Sequence, residues 1–296
     1  MTTTQENATI RKVWDQQSIW SQSANRLKAS VETARSRALV LVVAAAVLGA
    51  ASAQVMDWNP RLGAVLAFVA ALAAGLSPLL AHRGGPGPMS DWIRTRAVSE
   101  ALKGEVYTCL AGVGPYAERA SGAALLAERA HGFRVDATDL VRHTDGISAE
   151  VRPLPPVVDL DTYVDRRLRR QIDSYYRPRA AWMRSRVEFF AKTELVFGAA
   201  GALVAAAAGA FAIGGLAAWT GVIASVSIAV TAHATARRYT YQHLEFLRTA
   251  EELERLLDRR TADPSRHGES AEPFVAKCEH VISIQNEAWM IRWSVG

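Results

Sequence analysis

"GAFAIGGLAAW", residues 209–219, joins two apolar runs, 195–213 and 217–236, through little besides Gly214 and Gly215. Such a hairpin is apolar on every side. It belongs either in the core of a large soluble protein or in lipid. The rest of the chain separates the two readings. Residues 38–56 and 62–81 carry no charged side chain, and 195–236 carries none apart from the titratable His233. Nearly all Arg, Lys, Asp and Glu of this 296-residue chain lie outside those runs, although the whole has a formal charge of +5. Helices of a soluble core keep a polar face. Each run instead holds about 20 residues, roughly 30 Å as a helix, which is the hydrocarbon thickness of a bilayer. The pattern predicts an all-α polytopic membrane protein with four transmembrane helices in two tandem hairpins and long flanking helices. The first run begins after a long polar stretch, so it does not read as a signal peptide. Cys109 and Cys278 are the two cysteines; they make neither a metal framework nor an expected disulfide on the cytoplasmic side.

Charge placement sets the expected orientation. The turns of the hairpins are short, 57–61 in the first and Gly214 with Gly215 in the second, while basic residues crowd the other ends. Arg26, Lys28, Arg35 and Arg37 precede the first run and Arg83, Arg94 and Arg96 follow the second. Arg177, Arg179, Arg184, Arg186 and Lys192 precede the third, and Arg237 and Arg238 close the fourth. The positive-inside rule then places both termini and the middle segment, 82–194, in the cytoplasm of a four-span protein. Trp58 and Trp219 stand at the outer ends, Tyr239 and Tyr241 at the inner ones.

The arrangement occurs twice. A basic, aromatic-bearing helix leads into a hairpin, and a charged helix follows it. The leading helices are 10–37 and 161–194, which divides the chain into units 1–155 and 156–296. Tyr176, Ala180, Met183, Val187 and Phe190, and then Phe246, Ala250, Leu253 and Leu257, follow coiled-coil-like spacings. A last amphipathic helix, 274–291, places Phe274, Cys278, Val281 and Ile282 near one face. These stripes suit packing within the chain or contact between subunits. The sequence "HRGGPGPMS" (82–90) reads as a flexible exit from the second span, and "EVRPLPPVVD" (150–159) as an extended connector. Short strands at 133–135 or 150–151 are weakly signalled.

No catalytic constellation stands out, so the chain is not expected to be an enzyme or to carry a cofactor or metal. "GVGP" (112–115) is a helix break and not a dinucleotide fingerprint. The histidines lack ligand spacing. The absence of Asp or Glu within the spans argues against a proton-coupled carrier. The run from Arg166 to Arg170 reads as contact with anionic lipid in preference to nucleic acid. What the spans offer is small residues at packing distance: Ala45, Gly49 and Ala53; Gly63, Ala67, Ala71 and Gly75; Gly201, Ala205 and Gly209. The fourth span adds Thr220, Ser227, Thr231 and Thr235 on one helical face. These hydroxyls either bond their own i−4 carbonyls or face a water-filled path, where they replace an ion's water without a fixed charge. Asp57 at the outer turn and Glu194 at the inner end of the third span are candidate charges at the mouths of such a path.

Paired short spans with these flanks resemble a known family. The features are "WIRTRAVSEALKGEVYTCLAGVGPYA" after the first hairpin, "YVDRRLRRQIDSYYRPRAAW" before the second, and "YQHLEFLRTAEELERLL" with "CEHVISIQNEAWM" after it. They are similar to the SLATT family, the SMODS- and SLOG-associating two-transmembrane effector domains of bacteria, here as a fused double unit. The resemblance implies a pore-forming membrane effector of prokaryotic conflict systems that sense nucleotides or nucleotide-derived signals. It supplies no catalytic residues. The expected function is an oligomeric, cation-conducting channel, with a homotetramer expected first and a dimer next. A cytoplasmic nucleotide-sensing partner would supply the trigger. The alternative is a non-conducting scaffold that recruits a partner through its helical bundle.

Overall fold

The computed structural model describes residues 2–211, 214–262 and 271–294. Helix α1, Thr2–Met56, is a single helix of 55 residues. It contains no proline and one glycine, Gly49, so nothing stops the polar leading segment from running straight into the first span. The turn that follows is short because Asn59 caps the next helix: its side chain accepts the Leu62 N–H at 3.1 Å, and Pro60 takes the first helical position. That helix, α2, is Pro60–Arg83. The expected flexible exit at 82–90 shrinks to two glycines, because Pro86 starts α3, Pro86–Ala111. Gly112 and Gly114, at φ 65° and 63°, end α3 as the sequence break predicts.

A 3-10 turn, Gly114–Tyr116, precedes α4, Arg119–Asp136. Residues 133–135 are therefore helical, and no strand occurs among the described residues. After a second 3-10 turn, Thr138–His143, the connector is extended up to Asp159. It is held against the first half of α1. The Trp14 indole N–H donates to the Pro153 carbonyl at 3.1 Å, Arg152 lies 3.6 Å from the Trp14 ring centre, and Gln22 donates to the Ser148 carbonyl at 2.9 Å. Asp159 and Thr162 form a capping box on the short α5, Leu160–Tyr163. Two π-helical turns follow, Val164–Arg169 and Ile172–Tyr176, and lead into α6, Arg177–Phe211. Then come α7, Gly214–Arg237, α8, Tyr239–Ala262, and α9, Ala271–Ser294. The turn between α6 and α7, including residues 212 and 213, and most of the polar loop 261–273 lie outside the described residues.

The helices form two compact units. One, the span unit, is Ser30–Gly85 with Ala181–His243; the other, the bundle unit, is Met1–Ala29, Pro86–Ala180 and Leu244–Gly296. They cut across the sequence halves 1–155 and 156–296, since each half gives one hairpin to the span unit and its flanking helices to the bundle.

Four helices are long and apolar enough to cross a membrane, and no more than 17 % of the apolar window of any of them is buried inside the protein. Phe68, Leu79, Leu195, Leu203 and Phe211 are exposed. That decides against a soluble core, whose apolar side chains would be covered by protein. Inside the span unit, Gly63 and Ser77 pin α2 to α1. Ser52 donates to the Gly63 carbonyl at 2.8 Å and Ser77 to the Ala38 carbonyl at 3.3 Å. The buried face of α2 is Gly63, Ala70, Ala73 and Ser77, a row in threes and fours. The expected row in strict fours through Ala67, Ala71 and Gly75 drifts off that face and is exposed. Each end has its own clasp. Gln54 donates to the Gly215 carbonyl at 3.2 Å at one end; Arg35 donates to the Gly84 carbonyl at 2.7 Å and Arg237 pairs with Glu32 at 3.1 Å at the other.

The bundle core joins Ile10, Val13, Trp14 and Trp20 of α1 to Leu102 and Val106 of α3 and Leu126 of α4. Tyr176 and Ala180 of the first coiled-coil-like stripe, and Phe246, Ala250 and Leu253 of the second, are buried within the chain, as is Cys278 on α9.

Candidate functional site

On α7 the helical repeat of about 100° per residue puts Thr220, Ser227, Thr231 and Thr235 within one face, with Val222 and Val226 on the other. Val222 and Val226 are 8 % and 9 % exposed, so that side packs inside the span unit. Thr231 and Thr235 are exposed and Thr220 and Ser227 half-buried, so the hydroxyl face turns away from the protomer's own helices. Thr220 donates to its i−4 carbonyl, Leu216, at 3.5 Å, and Ser225 does the same to Gly221 at 2.9 Å. The hydroxyls of Ser227, Thr231 and Thr235 have no hydrogen-bond partner among the described residues. They line an open groove of about 570 Å³ together with Ile228, Ala232 and Ala236. Asp57 in the first turn and Glu194 on α6 are exposed, and neither lines that groove.

The small residues divide. A Cβ built on Gly63 would fall 2.9 Å from the Met56 Cα, so Gly63 serves packing within the chain, while one on Gly201 would reach ordinary contact with Ile223 Cγ2 at 3.4 Å, with α7 beside it. Gly49, Gly75 and Gly209 would meet nothing within 4 Å, so the protomer itself makes no use of them.

A second polar site lies in the bundle and was not visible in the sequence. Arg167, read there as part of a lipid-contacting run, is 1 % exposed, which removes it from that role; Arg166, Arg169 and Arg170 do remain on the surface. Arg167 sits in the first π-helical turn. Its Nε donates to Glu279 Oε1 at 3.0 Å and its Nη2 to Oε2 at 2.8 Å, a two-pronged pair. The Tyr163 hydroxyl donates to the same carboxylate at 2.7 Å. Glu100 of α3 stands 3.9 Å from Arg167 Nη1, and Arg96 pairs with it at 3.0 Å. Burial by itself would raise the Glu100 carboxyl, but Lys103, Arg96 and Arg167 outweigh it and hold the group at about 2. For Glu279, too, burial is overcome, here by Arg167 and the Tyr163 hydroxyl, and its carboxyl stays below the usual range. Burial pushes Lys103 down to about 8 against the pull of Glu100. The available signal was the spacing of Tyr163, Arg167 and Leu168 with Ile172 and Tyr176, a core stripe with an arginine in it.

Both cysteines are free thiols. Burial and nearby carboxylates push Cys109 up to about 11 and Cys278 up to about 12, far from the thiolate that nucleophilic chemistry needs. Among the described residues no three His, Cys, Asp or Glu side chains stand close enough together to hold a metal ion.

Comparison with known proteins finds a family for each half. Residues 18–123 match the model of a protein family of unknown function, DUF4231. Residues 163–289 match that of the SMODS and SLOG-associating 2TM effector domain 1. No curated protein and no solved structure matches the chain. The matched segment 163–289 contains the second hairpin, both π-helical turns and the carboxylate that holds Arg167. This part of the chain is similar to the SMODS and SLOG-associating two-transmembrane effector domain, within a multi-pass, all-helical membrane protein.

Proposed function

We propose that the chain assembles into a homo-oligomeric membrane pore that conducts cations, with the hydroxyl face of α7 lining the path. The observation that carries this reading is the outward face of Ser227, Thr231 and Thr235, polar and unbonded on a helix otherwise suited to lipid. Hydroxyls in hydrocarbon without a partner are costly, so water or a second subunit covers them. A closed ring of protomers supplies both, with a tetramer as the first expectation and a dimer as the next. The row of hydroxyls replaces part of an ion's hydration. Asp57 and Glu194, exposed near opposite ends of the spans, enrich cations at the two mouths. On this reading the protein sits in the bacterial inner membrane with both termini in the cytoplasm, serves as an effector and not an enzyme, and opens on a signal delivered by a nucleotide-sensing partner.

Recording from purified protein in planar bilayers tests it. The parent gives unitary cation currents. Ser227→Leu and Thr231→Leu abolish them while the assembled mass in detergent stays the same, because an apolar constriction dewets. Val226→Ile, on the buried side of α7, leaves the current unchanged. A silent parent over a range of voltage, salt and nucleotide supports the non-conducting scaffold instead, and a fully conducting Ser227→Leu moves the path to another face.

A further inference from the structure

The ion pairs of the bundle border a cavity that they do not fill. It measures about 520 Å³ and lies among α3, α4, α9 and the turn at Gly114–Tyr116. That volume is in the range of sites for small organic molecules. Much of the wall is apolar, with Ala97, Ala101, Phe133, Val275, Ala276 and Ile282. Residues from both halves of the sequence meet there.

The polar part of the wall is unbalanced. Among the described residues four carboxylates line it, Glu100, Glu105, Glu272 and Glu279, against Arg129 and His280. The neighbouring hydroxyls have already committed their protons. Thr108 donates to the Gly104 carbonyl at 2.9 Å, Ser283 to the His280 carbonyl at 2.9 Å, and Tyr116 to Glu105. What these oxygens have left to offer is lone pairs. Arg129 gives one N–H to Glu105 at 3.1 Å and so offsets one of the four charges. Glu100 is 8 % exposed; Arg96 pairs with its Oε1 at 3.0 Å, while its Oε2 has no hydrogen-bond partner among the described residues and stands 3.8 Å from Lys103 Nζ and 3.9 Å from Arg167 Nη1. An acceptor this deeply buried and unmet is costly unless a donor arrives from outside. The lining as a whole asks for N–H groups attached to an apolar body.

We propose that this cavity is a binding site for an organic ammonium or amidinium compound. Its N–H groups donate to the carboxylates, and its hydrocarbon or aromatic part lies against Phe133, Ala276 and Ile282. Phosphate-bearing ligands are disfavoured by the same count, since they bring acceptors and negative charge to a wall of acceptors. A nucleotide signal would accordingly be read elsewhere than in this cavity. The inference is independent of ion conduction and holds or fails without it.

The test uses the full chain in nanodiscs, with empty nanodiscs subtracted. Three probes are titrated: dansylcadaverine, which joins a primary ammonium to a naphthalene body; the anionic naphthalene dye 1-anilinonaphthalene-8-sulfonate; and AMP. Dansylcadaverine binds saturably and more tightly than the other two. Ala276→Trp, which fills the cavity from α9, weakens it by about tenfold or more, and Glu272→Gln, at the exposed rim, by about threefold or more. Glu272→Gln touches neither the core nor the Arg167 pair, so it remains informative if the tryptophan variant does not fold. Absence of saturable dansylcadaverine binding, binding indifferent to Glu272→Gln, or preference for the anionic dye or AMP each overturns the proposal.

Discussion

Arg167 and Thr231 are both polar side chains on long helices of this chain, and they meet opposite surroundings. In the bundle unit the guanidinium of Arg167 is removed from water and given a carboxylate, a second carboxylate within 3.9 Å and a tyrosine that shares the first. In the span unit the hydroxyl of Thr231 is turned outward and given nothing. The bundle answers Arg167 and Glu279 within one protomer and leaves Glu100 Oε2 without a hydrogen bond at the edge of its cavity. The span unit leaves its account open along a single face, while the opposite face of the same helix packs Val222 and Val226. A buried ion pair supplied by the chain itself needs no second protomer; a face of unbonded hydroxyls needs more than one protomer or a column of water. The two units thus separate what stabilises the chain from what the chain presents to others.

The largest effect that can break this contrast is removal of the buried cation. Arg167→Met leaves Glu279 and Glu100 buried without their shared partner, and losing one member of such a pair costs about 3–5 kcal/mol. Thermal unfolding in detergent should fall sharply or the variant should not fold. The neighbouring Arg169→Met removes an exposed i,i+4 pair with Asp165 and should change stability by about 0.5 kcal/mol or less. Equal effects of the two substitutions would show that Arg167 is not buried as described.

Acid probes the same network more gently. The Glu100 carboxyl stands at about 2 in the folded chain against an ordinary value of 4.5. A depressed carboxyl contributes stability above its unfolded value, and that contribution disappears as pH falls through the folded one. The bundle should therefore lose on the order of 3 kcal/mol between about pH 4.5 and 2, with Glu279 adding in the same direction. Unfolding curves collected across that window check the slope. Glu100→Gln should be less stable at neutral pH and flatter on the acid side. A Glu100→Gln variant with the parent's acid slope would assign the loss to other groups.

The same contrast explains what could be read from the sequence. The four spans were legible because uncharged runs of about 20 residues have few other uses. The hydroxyl row was legible because helical spacing alone puts residues 220, 227, 231 and 235 together. The buried network was not, because Arg167 sits among Arg166, Arg169 and Arg170, and a run of arginines looks like a surface until its partner is known. That partner, Glu279, is 112 residues away, beyond the reach of any local pattern. The exit linker differs for another reason: Pro86 and Gly87 suggest a loop, yet proline is well placed in the first turn of a helix, and α3 starts there.

The smallest effects concern glycines, and they sharpen the division between inward and outward faces. At Gly84 a Cβ would fall 2.6 Å from Arg35 Cγ and 3.3 Å from the Val31 carbonyl oxygen. Arg35 cannot swing aside without releasing the Gly84 carbonyl that it holds. Gly84→Ala should therefore destabilise the span unit by about 1–3 kcal/mol, the usual range for overpacking. Gly75→Ala meets nothing within 4 Å and gains helix propensity, so its melting temperature should stay level or rise slightly. Gly75→Leu carries the comparison further. It should leave the folding of a single protomer untouched, since no neighbour within the chain is displaced. If the outward face of α2 is where protomers meet, the assembled mass in detergent falls while helicity and unfolding of the dissociated protein do not change. Gly201→Leu, by contrast, strikes Ile223 within the same chain, and should lower stability whatever the assembly does. A Gly75→Leu variant with unchanged mass would clear the outward face of α2 from the interface and turn the same test to Gly49 on α1 and Gly209 on α6.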